Sequence, residues 1–566
     1  MGDQIVKNRK VTPVDTSKDL VYRFANKSIP NLERTKAGLE PYSGAWGTVQ
    51  ILHFLRRTTF NPNLDNIAFL KNKTLKQSVE LLLNSSSMPE PPVKHYTLDD
   101  TELAIGETWI NAPYNYGINS GIINNQRKNS LRGWMVDLML SEGINIREKM
   151  TLFWSNHFST ELNEYDDARS GYIINKICRE NALGNFKSLV KQITLTPAML
   201  RYLNGYLNSA TAPDENYSRE LQELFTLGKG PDSKYSEEDV KAAAKVLTGW
   251  RINNTVNPQA TFYDNSRHDK TNKQFSSFYN NTIIVGKNSS TAGNDELDDL
   301  LNMIFAQEEV SKYICRRLYR WFIYYVIDNN AEENVIKPLA KIFRDNNYTI
   351  KPVLDALFNS AHFFEFVNIG CQIKNPADLF TTLINQFYVL QPLKIDVVTY
   401  YTVWVYYNEL ITFMGQKLMD PPDVAGWPAY WQSPQYYELW INSVTYPKRV
   451  QFSDSMISNN GITRGGFKIV IDPLILVNKL NNPSNPNSLV AELVEYLYPI
   501  EISNDQKNFL KNQTLLSGQS NDIYWSDAWN AYKSNPTNAA TKKIVTDRLM
   551  SLLKYMMSGM SEYQLS

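Results

Sequence analysis

INIREKMTLFWSNHF, residues 144–158, reads at a single period. Ile146, Met150 and Phe153 recur at spacings of four and three, and His157 is the next residue on the same stripe. The spacing predicts an amphipathic helix with its imidazole turned inward. A buried ring needs a hydrogen-bond partner. Either His157 is a core residue bonded to a backbone carbonyl or a nearby carboxylate, or it works chemically in a pocket. Arg147, Glu148 and Lys149 lie two to three turns away and cannot reach it.

Most of the chain repeats this helical period. SEEDVKAAAKVLTGW, 236–250, opens with Ser236 and Asp239 in capping-box spacing and stops at Gly249, which marks both ends of one helix. Strand signals are confined to the short β-branched runs TIIVG at 282–286 and FKIVI at 467–471. The expected fold is mainly α, a large multi-helix assembly with long irregular loops and at most a small β-hairpin. Turn formers place irregular segments at about 86–130, at 251–296 and at 481–488. The expected organisation is an N-terminal extension over 1–45, a main helical domain over 46–480, and a C-terminal helical segment over 481–566 packed on it.

Composition excludes several classes. Hydrophobic residues make up 43% of the 566, ample for a core, and the 58 basic and 58 acidic residues cancel, so nothing in the overall charge draws the chain to nucleic acid. Cys178, Cys315 and Cys371 are too far apart for a disulfide framework, a CxxC metal knot or a haem or iron–sulfur site. The longest apolar runs, WFIYYVI at 321–327 and YTVWVYY at 401–407, fall short of the roughly 20 residues a membrane helix needs, so no transmembrane segment is expected. The N-terminus lacks the apolar core of a signal peptide. Either the protein is cytoplasmic, or Met1-Gly2 stands where an export signal was removed.

Chemistry-bearing groups fall in five places. In DENYSRELQELFTLG, 214–228, Asn216, Glu220 and Glu223 share one face of a helix, opposite Tyr217, Leu221 and Leu224. Two carboxylates one turn apart raise at least one pKa if buried and suit acid–base work or a divalent cation. The plainer alternative is Arg219 paired with Glu215 or Glu223 on a solvated surface. In FYDNSRHDKTNKQF, His268, Asp269 and Lys273 are close in sequence and would move protons, hold a metal or brace a loop. His53 and Arg57 are four apart in HFLRR, where the guanidinium forks match phosphate or carboxylate, or close a helix-end salt bridge. MDPPDVAGWPAYW, 419–431, is a stiff loop whose tryptophans suit stacking on sugars or plugging a core. His157 is the fifth.

Taken in order, HFLRRTTFNP, IREKMTLFWSNHFST, NALGNFKSLVKQITLTPAMLRYLNG, ENYSRELQELFTLG, YSEEDVKAAAKVLTGW, RHDKTNKQF, GQKLMDPPDVAGWPAYW and SEYQL resemble the bacterial family named domain of unknown function 1800, from about residue 46 onward. The resemblance favours His53, Arg56, Arg57, Trp154, His157, Asn216, Arg219, Glu220, Glu223, Trp250, His268, Asp269 and Trp427. It also implies an exported, extracytoplasmic protein and a protein partner of the domain of unknown function 1501 family.

Two functions are therefore expected. The first is a hydrolase-like enzyme on an envelope or extracellular polymer, carbohydrate favoured. In it His157, Glu220, Glu223, His268 and Asp269 are catalytic in one cleft roofed by Trp250 and Trp427. Glu220 or Glu223 would be the acid or base, His157 and His268 proton shuttles or metal ligands, and Arg219 an electrostatic clamp. His53, Arg57, Asn216 and Lys273 would complete the substrate site, and a divalent metal is admissible. No HExxH, GxSxG or Gly-rich phosphate loop supports this reading. The second is a non-catalytic helical scaffold, or a carbohydrate- or protein-binding protein, in which the same polar groups form a buried structural network.

Overall fold

The computed structural model describes residues 34–84, 86–100, 103–113, 120–427 and 440–566. The expected N-terminal extension lies outside the described residues up to position 33, and so do positions 428–431 of the tryptophan-bearing loop. Helices dominate what is described, and each of its three sheets has only two strands.

The 144–158 stretch forms the helix Arg147–His157, with Met150, Phe153, Trp154, Asn156 and His157 all buried. Burial extends beyond the apolar stripe because neighbours cover the helix on several sides. Trp154 stacks on Phe186 with ring centroids 5.4 Å apart, and Phe153 meets Trp321 at 5.6 Å. The helix Ala168–Glu180 is locked to it by a two-pronged ion pair. Arg179 Nε and Nη2 donate to the two Glu148 oxygens at 2.7 and 2.8 Å, Nη1 donates to Asn175 at 2.8 Å, and the guanidinium lies 4.6 Å from the Trp134 ring. Both ion-pair side chains are buried, at 1% and 3% exposure.

The expected irregular stretch to residue 130 is overtaken from 120 onward by the long helix Ser120–Ser141. Its Asn and Gly residues favour turns locally, but Ile123, Arg127, Leu131 and Trp134 gain burial only as a helix, and packing outweighs propensity. This helix crosses the helix Val397–Phe413 closely at Gly133, where a Cβ would lie 3.2 Å from the Val405 nitrogen.

The helix Glu237–Val246 carries the expected capping box of Ser236 and Asp239 and ends before Gly249, whose φ is +92°. The two β-branched runs form strands Ile283–Ile284 and Phe467–Ile469, paired with Lys273–Gln274 and Ile462–Arg464. A further pair, Trp250–Asn253 with Ala260–Tyr263, adds more strand than a single hairpin. Its short segments contain no β-branched run, so only backbone pairing reveals them.

The C-terminal residues close over the helix Thr48–Thr58, the first among the described residues. Arg56 Nη2 donates to the Tyr496 carbonyl at 2.7 Å, Lys374 Nζ to the Tyr563 carbonyl at 2.7 Å, and Ile373 bridges Leu565. No helix among the described residues is long and apolar enough to cross a membrane.

Removing one partner of a buried ion pair strands the other charge. Glu148→Ala is therefore expected to cost about 3–5 kcal/mol, read as a lower denaturation midpoint at unchanged denaturant slope. A loss below 1 kcal/mol would show that Arg179 finds another partner or water.

Candidate functional site

His157 occupies a closed aromatic shell. It is 2% exposed, with Phe153, Trp154, Phe158, Phe186, Phe225 and Tyr313 around the ring. Nε2 donates to the Phe225 carbonyl at 3.0 Å, and Nδ1 has no partner among the described residues. Burial, followed by the neighbouring Arg317 charge, holds the imidazole well below its usual range, so the ring is neutral. This is the core alternative, bonded to a backbone carbonyl.

The carbonyl it holds belongs to Leu221–Thr226, which continues the helix Asn216–Glu220 as a π-helix; Thr226 Oγ1 bonds back to the Leu221 carbonyl at 2.5 Å. The wider turn alters the expected faces. Tyr217, Leu221 and Phe225 go inward, Leu224 is only partly buried, and Asn216 is exposed. Arg219 forms the surface alternative, with Glu215 at 3.0 Å and Glu237 at 2.6 Å, and is spent as a clamp. Glu223 pairs with Lys229. Glu220 is half-buried, and its Oε2 has no partner among the described residues. Burial first and the Glu223 charge second push its carboxyl up to about 7, with Asp423 adding to the effect.

His268 sits elsewhere. Its Nε2 lies 3.0 Å from Glu296 Oε1 and its Nδ1 3.0 Å from the Thr248 carbonyl, while Lys273 Nζ lies 2.6 Å from Glu296 Oε2. All three side chains are fully enclosed. Burial pushes the Glu296 carboxyl up, but hydrogen bonds from His268, Lys273 and the Lys287 backbone outweigh it and leave it below its usual value. The partner of His268 is therefore Glu296 rather than Asp269, which accepts from Thr271 instead. Adjacent residues point apart, and a carboxylate 28 positions away fills the gap. Trp250 packs on Tyr263 with ring centroids 5.4 Å apart.

The expected single cleft thus separates into pieces: His157, His268 and Glu220 share no partner among the described residues. Nor is any group of three or more His, Cys, Asp or Glu side chains among those residues arranged to hold a metal ion.

Three predicted residues do meet. Arg56, Arg57 and Trp427 line one hollow, which opens to solvent and encloses about 40 Å³. Lys149 and Arg320 join them, with Trp321 and Trp440 as further aromatic residues of the lining. Arg57 is held by Nη2 bonds to the Ile323 carbonyl at 2.5 Å and the Asn368 carbonyl at 3.5 Å, and Lys149 pairs with Asp378. His53, one turn before Arg57, turns away to the Phe363 carbonyl at 3.0 Å; burial, then Arg57, brings it down to about 3.

Trp427 is placed by Asn156, which sequence reasoning passed over. Asn156 Oδ1 accepts from the Trp427 N–H at 2.6 Å and Nδ2 donates to the Trp427 carbonyl at 2.7 Å. Gly426, at φ +93°, lets the loop approach; a Cβ there would lie 2.4 Å from Asn156 Oδ1. Upstream the loop is tied by Arg132 to Asp420 and to the Leu418 carbonyl, and by Leu162 N to the Met419 carbonyl. Lys149, Phe153 and Asn156 follow one helical stripe, a signal that was available.

Glu220 yields a pH test. Its pKa is higher in the folded state, so stability is fully present below the usual 4.5 and is lost as pH rises to about 7. Against the parent, Glu220→Gln should gain about 1–2 kcal/mol between pH 5 and 8 after allowance for solvent screening. Urea denaturation at both pH values reads this. An unchanged difference would place the carboxyl in its ordinary range.

No curated protein and no solved structure matches the chain. The family model described as Protein of unknown function (DUF1800) matches residues 53–565, nearly the whole sequence from the Arg57 helix to the terminal bridge at Leu565, and the chain belongs to that family.

Proposed function

We propose that the chain is a helical binding protein for a carbohydrate, held in the tryptophan-walled hollow that contains Arg57 and Trp427. The observation that carries this reading is that hollow, in which tryptophans from distant segments line the space together with arginines. Flat apolar rings flanked by a few fixed polar groups suit a sugar ring. The sealed states of His157, His268 and Lys273 favour framework roles for them, because their hydrogen bonds are spent internally. The extracytoplasmic location and the partner of the domain of unknown function 1501 family, both implied by the family resemblance, belong to this proposal.

The hydrolase-like reading retains one specific support, the half-buried Glu220 with a carboxyl near 7 beside Glu223. A group titrating near neutrality is suited to both giving and taking a proton. In that reading Glu220 is the acid or base, on an envelope polymer, and the histidines shape the fold around it.

A panel of envelope and extracellular polysaccharides separates the two, using affinity electrophoresis for binding and reducing-sugar release for cleavage. The binding reading expects retention without release, and at least about tenfold weaker retention for Trp427→Ala at unchanged circular dichroism, since tenfold corresponds to about 1.4 kcal/mol. Release of reducing ends that disappears in Glu220→Gln would establish the hydrolase instead. Retention by no polymer would remove the carbohydrate reading.

A further inference from the structure

The hollow at Arg57 has an imbalance of charge and of hydrogen bonding. Arg56, Arg57, Lys149 and Arg320 line it, and Asp378 is the one carboxylate side chain among the described lining residues. Behind the wall lie Arg449 and Lys374, at 1% exposure each, and burial holds the Lys374 amine well below its usual range. Arg449 Nη2 donates to the Lys374 carbonyl at 3.0 Å and Nη1 to Gln564 at 3.2 Å, so neither Arg449 bond brings a compensating charge.

The lining atoms left without partners are all donors. Arg56 Nε, Arg57 Nε and Trp321 Nε1 are buried and unpartnered among the described residues, and no acceptor of a lining residue is in that state. Arg56 and Arg57 are 5% and 3% exposed, so water does not freely replace the missing bonds. A buried N–H without an acceptor costs about 1–3 kcal/mol, which a structure tolerates where a ligand later supplies the acceptor. Burial also depresses Arg56 to about 10 and lowers Lys149 in spite of Asp378, in keeping with a wall short of negative charge.

We propose that this hollow binds an oxyanion, the sulfate, phosphate or carboxylate group of an acidic ligand, between the Arg56–Arg57 pair, Lys149 and Arg320. The proposal rests on the reading of the hollow as the ligand site and narrows its ligand to an acidic one. An oxyanion brings acceptors only, which matches donors only, and guanidinium forks engage such groups through paired hydrogen bonds. The tryptophan walls would then stack on the ring that carries the charge.

The test titrates the full chain with sodium sulfate and sodium phosphate against sodium chloride at matched ionic strength, by calorimetry and thermal shift. It also compares a sulfated polysaccharide with its desulfated backbone. Saturable binding of sulfate or phosphate is expected, as is a preference of at least fivefold for the sulfated polymer. Arg320→Ala, at a half-buried position, should weaken binding at least fivefold. Asp378→Asn, which removes the opposing charge, should strengthen it several-fold. Equal binding of both polymers with no effect of Arg320→Ala overturns the oxyanion site and leaves the carbohydrate reading intact. Binding of inorganic sulfate with retention of no polymer supports the oxyanion site and removes the carbohydrate reading. Chloride acting as well as sulfate at matched ionic strength overturns the site as nonspecific.

Discussion

Asn156 holds the Trp427 backbone from both sides, one amide oxygen accepting and one amide nitrogen donating, and the arrangement of the hollow follows from that pair of bonds. The same helix contributes Lys149 to the hollow, backs Trp321 with Phe153, and ties the π-helix at Phe225 with His157. One eleven-residue helix is thus the floor on which the aromatic walls, the cationic patch and the carboxylate-bearing segment are set. The close approach requires a residue without a side chain at 426, because any Cβ would enter the space of the Asn156 amide. A glycine next to a tryptophan in that loop is a steric condition of the fold.

Desolvation decides which polar groups remain able to act. His53 and His157 lose the charged form because nothing in their shells repays the cost of removing an imidazolium from water. In the third cluster His268 and Lys273 each bond to one oxygen of the Glu296 carboxylate. Glu220 is the intermediate case, wet enough to exchange protons and dry enough to resist ionisation. The wide turn after it aims the Phe225 carbonyl at His157, and such π-helical turns recur at functional sites more than in ordinary helices. In the hollow Arg56 donates to the Tyr496 carbonyl and Arg57 to the Ile323 carbonyl, backbone groups rather than carboxylates.

Local rules made much of the architecture legible. The stripe through Ile146, Met150, Phe153 and His157 foretold the buried helix, and the Ser236–Asp239 spacing foretold a capping box that the structure contains. The plainer alternatives for His157 and Arg219, a backbone-bonded core ring and a surface ion pair, are the arrangements found. The helix starting at Ser120 was hidden because its turn formers act locally while its burial comes from the distant Val397–Phe413 helix. Glu296 was hidden for a related reason: nothing within HDKTNK indicates a carboxylate on a later helix.

Hydrophobic period, capping chemistry and family motifs, all short-range properties of the string, were sufficient for a mainly helical chain of this family with buried polar residues at stated positions. Which of those residues face one another was decided only by tertiary packing. Arg57, Lys149, Arg320 and Trp427 become neighbours through helices and a loop remote in sequence, and electrostatic and hydrogen-bonding demands act through space. Residue identity along the chain carries the chemical capacity of a side chain, whereas its protonation and its partners depend on the solvent that folding removes from it.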